Sequence, residues 1–571
     1  MLLKRPAIPK MSTEVDIVGE EERPPTVAEL RFSCLAILIP LYTLLCVALF
    51  FTNLRQSGNS LVYPLDDAYI HMSLAKNLAL HGVFGVTADG FTACSSSPLW
   101  VFLISAVYAL VGVQIWPPLA FNFFFGLILI VAGCEILLRS GSSRSSTIFS
   151  ITALCLFIPL PVLVLSGMEH VLHILLSALL AFWAAWFIAE PRAPAWMQFT
   201  LPITIAAAVM IRFETLFLVG AIVLLLLLRR RFLSAALFLG AALAPIAILG
   251  FYSASKGWFW LPTSLLLKGR MPQFWSVRSV VASAGYAALS QLFETPHLLI
   301  VVVGLVAVYL WRSTRGASPW DRGQVMICLT FISIIVHLQY AGSGFSLLGR
   351  YEGYLLAMAI LSIGCADLSV LFQYLRAALA KKSNIIEFLP LSIVVILLLF
   401  PLFRHGLQST EQFPGGRRSL YGQQYQMGMF LAAYYNTSSV AANDIGAVNF
   451  FTHIRCLDLF GLANSEICRL KRAGRYDTRA IDQLALAQNT KVAIVYDSWF
   501  QNRMLFGYWV PRLPASWRRV AEWRTQDAVL LGDDTVTFYA VDPAEAPHLK
   551  QSLSQFATKL PPGTVQSLLP E

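Results

Sequence analysis

Two adjacent carboxylates, Asp66 and Asp67, lie in the stretch YPLDDAYIHM, a little after an apolar run from Phe32 to Phe51. Acids at a membrane boundary are costly unless they face water, a cation or a substrate. Asp67 can cap a helix that starts at Ala68, whose apolar positions Ile70, Leu74 and Leu78 share one face. A cap needs a single carboxylate, so at least one of the two is free for acid–base chemistry or for holding a ligand.

Four other stretches carry residue types that could do chemistry. In SGMEHVLH, Glu169 is followed by His170 and His173, and spacing puts Glu169 and His173 on one helix face. A metal site, an acid at a helix start and a polar contact lining a substrate cavity all fit that pattern. In MIRFETLFL, Arg212 and Glu214 interrupt an apolar run, either as an ion pair in a tight connection or as part of a site. GWFWLPTSLLLKGR sets Lys268 behind Trp258, Phe259 and Trp260, an interfacial aromatic group, so Lys268 is a snorkelling lysine or a phosphate ligand. In GRYEGYLLA, Arg350 and Glu352 precede an apolar segment, and a guanidinium matches phosphate geometry. GFTACSSSPLW leads through Ser97, a candidate cap, into Pro98, a good first helical residue.

The elements that must position these groups are membrane helices. Of 571 residues, 57% are hydrophobic and only 13% charged, far from a soluble chain. Twelve apolar stretches approach the roughly 20 residues that cross a bilayer core: 33–53, 98–113, 117–137, 146–165, 168–188, 196–211, 213–228, 233–252, 297–311, 324–341, 354–375 and 386–403. The net charge of +10 does not argue for nucleic acid, because the basic residues fall between the apolar stretches: Arg139 with Arg144, Arg192, Arg229 to Arg231, Arg312 with Arg315 and Arg322, and Arg376 with Lys381 and Lys382. The positive-inside rule assigns those connections to the cytoplasm. The alternate connections, with Asp66, Glu169, Arg212, Lys268 and Arg350, then fall outside. An inside N-terminus and an outside C-terminus require an odd number of crossings, so one of the twelve stretches does not cross, and the region between Pro98 and Leu138 is where this is expected.

Residues 1–31 read as a cytoplasmic tail without the features of a signal peptide. Residues 32–403 form the membrane region, with 54–97 as its first external loop, and 404–571 form a soluble domain. There SVAAND, KVAIVYD and TVTFYAVD read as strands and TRAIDQLALAQN as a helix, a mixed α/β domain. Among the nine cysteines, Cys456 and Cys468 could pair if exported. Asn436 opens a weak glycosylation pattern, and no tandem repeat of 20 to 50 residues is evident.

The succession LDDAYIHMSLAKNLALHGVFG, SSSPLW, SGMEH, RFETLFL, GWFWLPTSLLLKG, GRYEGYLLA and VAANDIGAVNFFTHIRCLDLFGLAN resembles the GT-C superfamily of glycosyltransferases that use polyprenyl-phosphate sugars. It is most similar to bacterial members of the mycobacterial terminal arabinofuranosyltransferase type. The likeness runs from about Leu65 to Asp542. It implies a polytopic α-helical fold of about 11–13 transmembrane helices in a bacterial cytoplasmic (inner) membrane, with an extracytoplasmic α/β domain at the C-terminus. It implies an Asp general base, Asp66, with Asp67 as its acidic neighbour in substrate or metal binding. Lys268, Arg212 and Arg350 become the cations for the donor phosphate, and Glu169, Glu214 and His170 further substrate-binding residues. His170 and Phe213 stand where similar proteins carry a small residue or Thr and a Pro, so sugar specificity does not transfer. Asn443, Asp444 and Gly446 match the opening of the family's C-terminal domain. Asp458, Gly461 and Leu462 match an element that is a structural turn or an acceptor contact. The donor implied is a membrane lipid-linked sugar, and the acceptor a glycan, glycolipid or protein; no cofactor is required, and a divalent cation beside the two aspartates stays open. Direct displacement by the acceptor inverts the anomeric centre. The rival reading is a flippase or transporter of lipid-linked sugar, which would spread its polar residues through the membrane depth.

Overall fold

The computed structural model describes residues 26–268, 289–340, 347–366, 385–526 and 528–570. The expected tail up to residue 25, and Arg376, Lys381 and Lys382, lie outside the described residues.

Among the described residues, six helices are long and apolar enough to cross a membrane. In chain order the helices of the first two thirds are α1 (Val27–Leu54), α2 (Asp66–His81), α3 (Pro98–Val111), α4 (Pro117–Arg139), α5 (Arg144–Phe157), α6 (Leu160–Leu165), α7 (His170–Ala189), α8 (Met197–Ile211), α9 (Thr215–Leu228), α10 (Phe232–Ser255), α11 (Thr263–Lys268), α12 (Pro296–Thr314), α13 (Arg322–Tyr340), α14 (Gly353–Gly364) and α15 (Ile385–Leu420). Proline opens α3, α4 and α12, where its missing N–H costs nothing. The helix α7 is the buried centre of the bundle and packs on α4, α8, α13 and α14. Its polar start, Glu169 and His170, is thereby delivered into the protein and not to lipid.

Three local expectations change. The helix carrying the aspartate pair begins two residues early, with Leu65 at the cap position and both acids in the first turn, where they complement the helix dipole. Ser97 makes no capping bond to α3. The stretch 146–165 is not one helix, because Pro159 separates α5 from α6; proline cannot supply the N–H a continuous helix needs.

The helix α3 packs along α2. Its start is tied to α2 through Ser95 and His71 (3.3 Å), and just past its end the Ile115 carbonyl accepts from the Tyr63 hydroxyl at 2.7 Å. Both ends of α3 are therefore tied to α2 and to the segment just before it.

The last membrane helix does not stop near residue 404. α15 runs on to Leu420 and is followed, after an irregular turn, by α16 (Gln426–Tyr434), before the first strand at Ser439. The soluble domain holds β1 (Ser439–Ala442), α17 (Ala447–Phe450), β2 (Arg455–Asp458), α18 (Ser465–Arg472), α19 (Thr478–Ala487), β3 (Val492–Val495), β4 (Arg503–Leu505), β5 (Tyr508–Val510), β6 (Arg518–Thr525), β7 (Thr535–Ala540), α20 (Ala546–Phe556) and β8 (Thr564–Leu568). Its main sheet has the order β2-β1-β3-β7-β6-β8. β1 pairs parallel with β2 and β3, and the remaining pairs are antiparallel. All three predicted strands and the predicted helix are present, as β1, β3, β7 and α19. In parallel sheets the loops beyond the carboxyl ends of the strands form the functional edge, and here the loop after β1 reaches α2.

That contact is a clamp on both ends of α17. The Gly446 and Ala447 N–H groups donate to the two carboxylate oxygens of Asp66, at 2.7 and 2.8 Å. At the other end the Lys76 ammonium donates to the carbonyls of Asn449, Phe450 and Thr452, at 2.7 to 2.8 Å. Acid meets the positive end of the short helix and base the negative end. Lys76 is 5% exposed, so truncating it strands three carbonyls away from water. Lys76→Met is expected to cost on the order of 3 kcal/mol, read as a lower unfolding temperature of the purified protein and faster proteolytic release of the soluble domain.

Candidate functional site

The first turn of α2 points its two acids in different directions. Asp66 is held by the soluble domain, and Gly446 is what lets it approach: a Cβ there would lie 2.1 Å from the Asp66 carbonyl oxygen. Asp67 instead accepts from Arg350 Nη2 at 2.9 Å and lies 3.8 Å from Lys268 Nζ. Both acids are half-buried.

Their electrostatics diverge accordingly. Burial and the nearby Asp444 carboxylate push Asp66 well above the ordinary aspartate range, against the two N–H groups that favour its charge. Burial acts on Asp67 in the same sense, but Lys268 and Arg350 outweigh it and hold Asp67 low. Lys268 is raised by the same pairing with Asp67. Asp444, on the loop after β1, is itself raised by burial, while bonds from Gln424 Nε2 (2.9 Å) and the Tyr496 hydroxyl (2.8 Å) oppose the rise. One aspartate is thus poised to exchange a proton, and the other is a fixed anion between two cations.

Arg350 is buried, and its Nε and Nη1 have no hydrogen-bond partner among the described residues. A buried guanidinium with spare donors is costly unless an anion meets it. Arg212 differs. It donates to Glu169 Oε1 at 2.8 Å and forks onto both oxygens of Glu214, so two carboxylates already surround it. The Tyr351 ring joins the two groups, lying 5.3 Å from the Arg212 guanidinium and 4.9 Å from that of Arg350. His71 adds a second link, with Nε2 3.6 Å from Glu169 Oε2. His170 is buried beside Tyr351 with both ring nitrogens unpaired among the described residues, and His173 bonds Thr215.

The residues singled out from the sequence therefore form one connected region, with Asp67, Lys268 and Arg350 in contact and Glu169, Arg212 and Glu214 in a second group. Three members were not picked out as site residues. His71 is one helical turn after Asp67, so spacing alone could have found it. Tyr351 stands between two charged residues in the quoted motif. Asp444 belongs to a quoted motif, but nothing local places it beside Asp66; the docking of the soluble domain does that.

The Asp458 element is a turn. Its carboxylate accepts from the N–H groups of Phe460, Gly461 and Ala463, at 2.6 to 3.0 Å. The turn it holds presents the Leu462 carbonyl to the Thr263 hydroxyl, and the Thr263 N–H donates to the Ala93 carbonyl at 2.8 Å. Thr263 starts α11, whose last residue is Lys268, so the turn fixes a cation of the site. Beside this region an apolar cavity of about 230 Å³ is lined by Leu78, Phe84, Phe102, Phe213, Tyr252 and Trp260, with Ser95 and Pro262 at its polar side.

Residues 417–539 match a family model described as a domain of unknown function, DUF8728. No curated protein matches the chain. Among solved structures the chain is similar to the crystal structure of ArnT from Cupriavidus metallidurans bound to undecaprenyl phosphate, with 12% identity and a TM-score of 0.48 over 89% of this chain and 98% of that one.

The Glu169 side chain is fully buried, and removing one partner of a buried ion pair leaves an uncompensated charge. Glu169→Gln is expected to destabilise the protein by on the order of 3 kcal/mol, and Asp67→Asn, half-exposed, by clearly less. Thermal unfolding of the two variants, followed by tryptophan fluorescence, checks the order.

Proposed function

We propose that this protein is an integral-membrane glycosyltransferase. It takes a sugar from a polyprenyl-phosphate donor and passes it to an envelope glycan, glycolipid or protein on the extracytoplasmic face of a bacterial cytoplasmic membrane. The observation that carries the reading is Arg350, a buried cation with two spare donors, sharing Asp67 with Lys268 next to an apolar cavity. A lipid phosphate needs both surfaces at once, cations for its head group and an apolar groove for its chain. The clustering of charge at one layer of the bundle supports a transferase over a flippase, whose polar groups would line a path across the membrane.

In this reading the donor arrives activated, with phosphate as the leaving group. Lys268 and Arg350 stabilise the charge that grows on it, and Asp67 holds the two cations in place. Arg212, saturated by Glu169 and Glu214, acts as scaffold under Tyr351. Asp66 accepts the proton of the acceptor hydroxyl. Its two backbone partners occupy one position on each oxygen and leave others open, since each carboxylate oxygen can accept twice, and its raised pKa suits a base working near neutral pH. Attack by the acceptor on the face opposite the phosphate inverts the anomeric centre.

The test is transfer of labelled sugar from a panel of polyprenyl-phosphate sugars to envelope extracts by the reconstituted protein. Asp66→Asn should lower kcat by about 10²–10⁴ with donor binding intact. Arg350→Gln should instead weaken donor binding. Transport of labelled lipid without any transfer would return the flippase reading, and a product of retained configuration would overturn the single displacement.

The pH profile gives an independent check. Because the active form of Asp66 is the anion, activity is lost as pH falls through its raised pKa, so the acid limb of kcat/KM lies well above the ~3.9 of ordinary aspartate. Asp67, held low, cannot produce that limb. Asp444→Asn removes a like charge and should move the limb to lower pH.

A further inference from the structure

Two residues past Arg350 in the chain, at Glu352, three ionisable side chains from different helices converge. His297 is the second residue of α12, Glu352 immediately precedes α14, and His405 lies midway along α15. His405 Nε2 is 3.1 Å from Glu352 Oε1 and His297 Nε2 is 3.5 Å from the same oxygen. The two imidazoles stack with centroids 4.3 Å apart, and one ligand atom from each of the three residues lies within 4.8 Å of the others.

Several details go beyond a hydrogen-bonded chain. His405 Nδ1 is 3.0 Å from the Phe157 carbonyl, to which it donates, so Nε2 is the nitrogen turned toward the cluster and, once deprotonated, the one that offers a lone pair to an ion. This is the arrangement that orients metal-binding histidines. Glu352 is 96% buried by its side-chain exposure of 4%, yet its Oε2 has no hydrogen-bond partner among the described residues, and neither has His297 Nε2. The backbone has also made room. At Gly349, φ is +66° and a Cβ would lie 2.6 Å from His405 Cε1, so a side chain there would expel the imidazole.

We propose that His297, Glu352 and His405 bind a divalent transition-metal ion, with zinc the best match to two imidazoles and one carboxylate. Bonds of 2.0–2.1 Å in a tetrahedron put ligand atoms about 3.3 Å apart, close to the separations already present, and three protein ligands leave a fourth position for water. The role is structural: the ion fastens α12, α14 and α15 at one point and fixes the Gly349–Glu352 segment that carries Arg350. The proposal does not depend on the transferase reading.

The experiment is metal analysis of the full-length protein, purified in detergent through a tag without histidines and without chelators. The expected result is one zinc per chain in wild type, lost in Glu352→Gln and in His405→Gln, and kept in His548→Gln, a histidine of the soluble domain. Cobalt-loaded wild type should show the visible absorption of a four-coordinate ion. Because a variant can misfold, the wild type is also stripped with a chelator; its unfolding temperature should fall and return on adding zinc. Wild type that takes up neither zinc nor cobalt, and whose stability ignores the chelator, overturns the proposal and leaves the three residues as a proton-sharing chain.

Discussion

The grip of α2 on α17 is the constraint from which the rest of the site follows. One helix of the membrane part offers a carboxylate and an ammonium ten residues apart, and a four-residue helix of the soluble part offers its free N–H groups to the first and its free carbonyls to the second. Each charge is taken out of water, which is affordable because peptide dipoles at both ends replace the lost hydration. The match works in only one register, since Gly446 lies against the Asp66 backbone with no room for a side chain. Directional bonds fix the register of the docking, while Tyr69 packed on Phe450 and Phe451 adds apolar contact.

From this contact the soluble domain reaches into the membrane-side chemistry by two routes. The first is electrostatic: Asp444, brought in on the loop after β1, raises the proton affinity of Asp66. The second is mechanical: the Asp458 turn holds Leu462, Leu462 holds Thr263, and Thr263 sets the start of the short helix that ends in Lys268. The C-terminal sheet domain therefore bears on both a carboxylate, Asp66, and a cation, Lys268, that belong to the helical part.

Much of this was legible in the sequence because the signals are local. Apolar runs gave the membrane helices, the strands β1, β3 and β7 showed as short β-branched runs, and the charged motifs that converge were all recognisable as misplaced polarity. The failures were of a different kind. The break at Pro159 follows from the proline itself and was passed over within an apolar run, and the packing of α3 along α2 leaves no mark in the apolar content of 98–113. The continuation of α15 through residue 404 was hidden by the return of polar residues, which a helix standing clear of the bilayer tolerates. Lys76 gave no sign, and Asp444 none of its closeness to Asp66, since those partners are hundreds of residues away. Arg212 and Arg350 look alike in sequence, and only the count of surrounding carboxylates separates a saturated arginine from one with donors to spare.

That remoteness has a cost in time. The bonds between Asp66 and the start of α17 join residues 380 positions apart. At a synthesis rate of about 5–20 residues per second, α17 emerges roughly 20 to 80 s after α2. For that interval α2 carries a buried-type lysine and, in Asp66, a carboxylate whose backbone partners have not yet been made. An early segment of the protein is thus completed late, and any factor that shields nascent membrane proteins has a long hold on the stretch around Asp66 and Lys76.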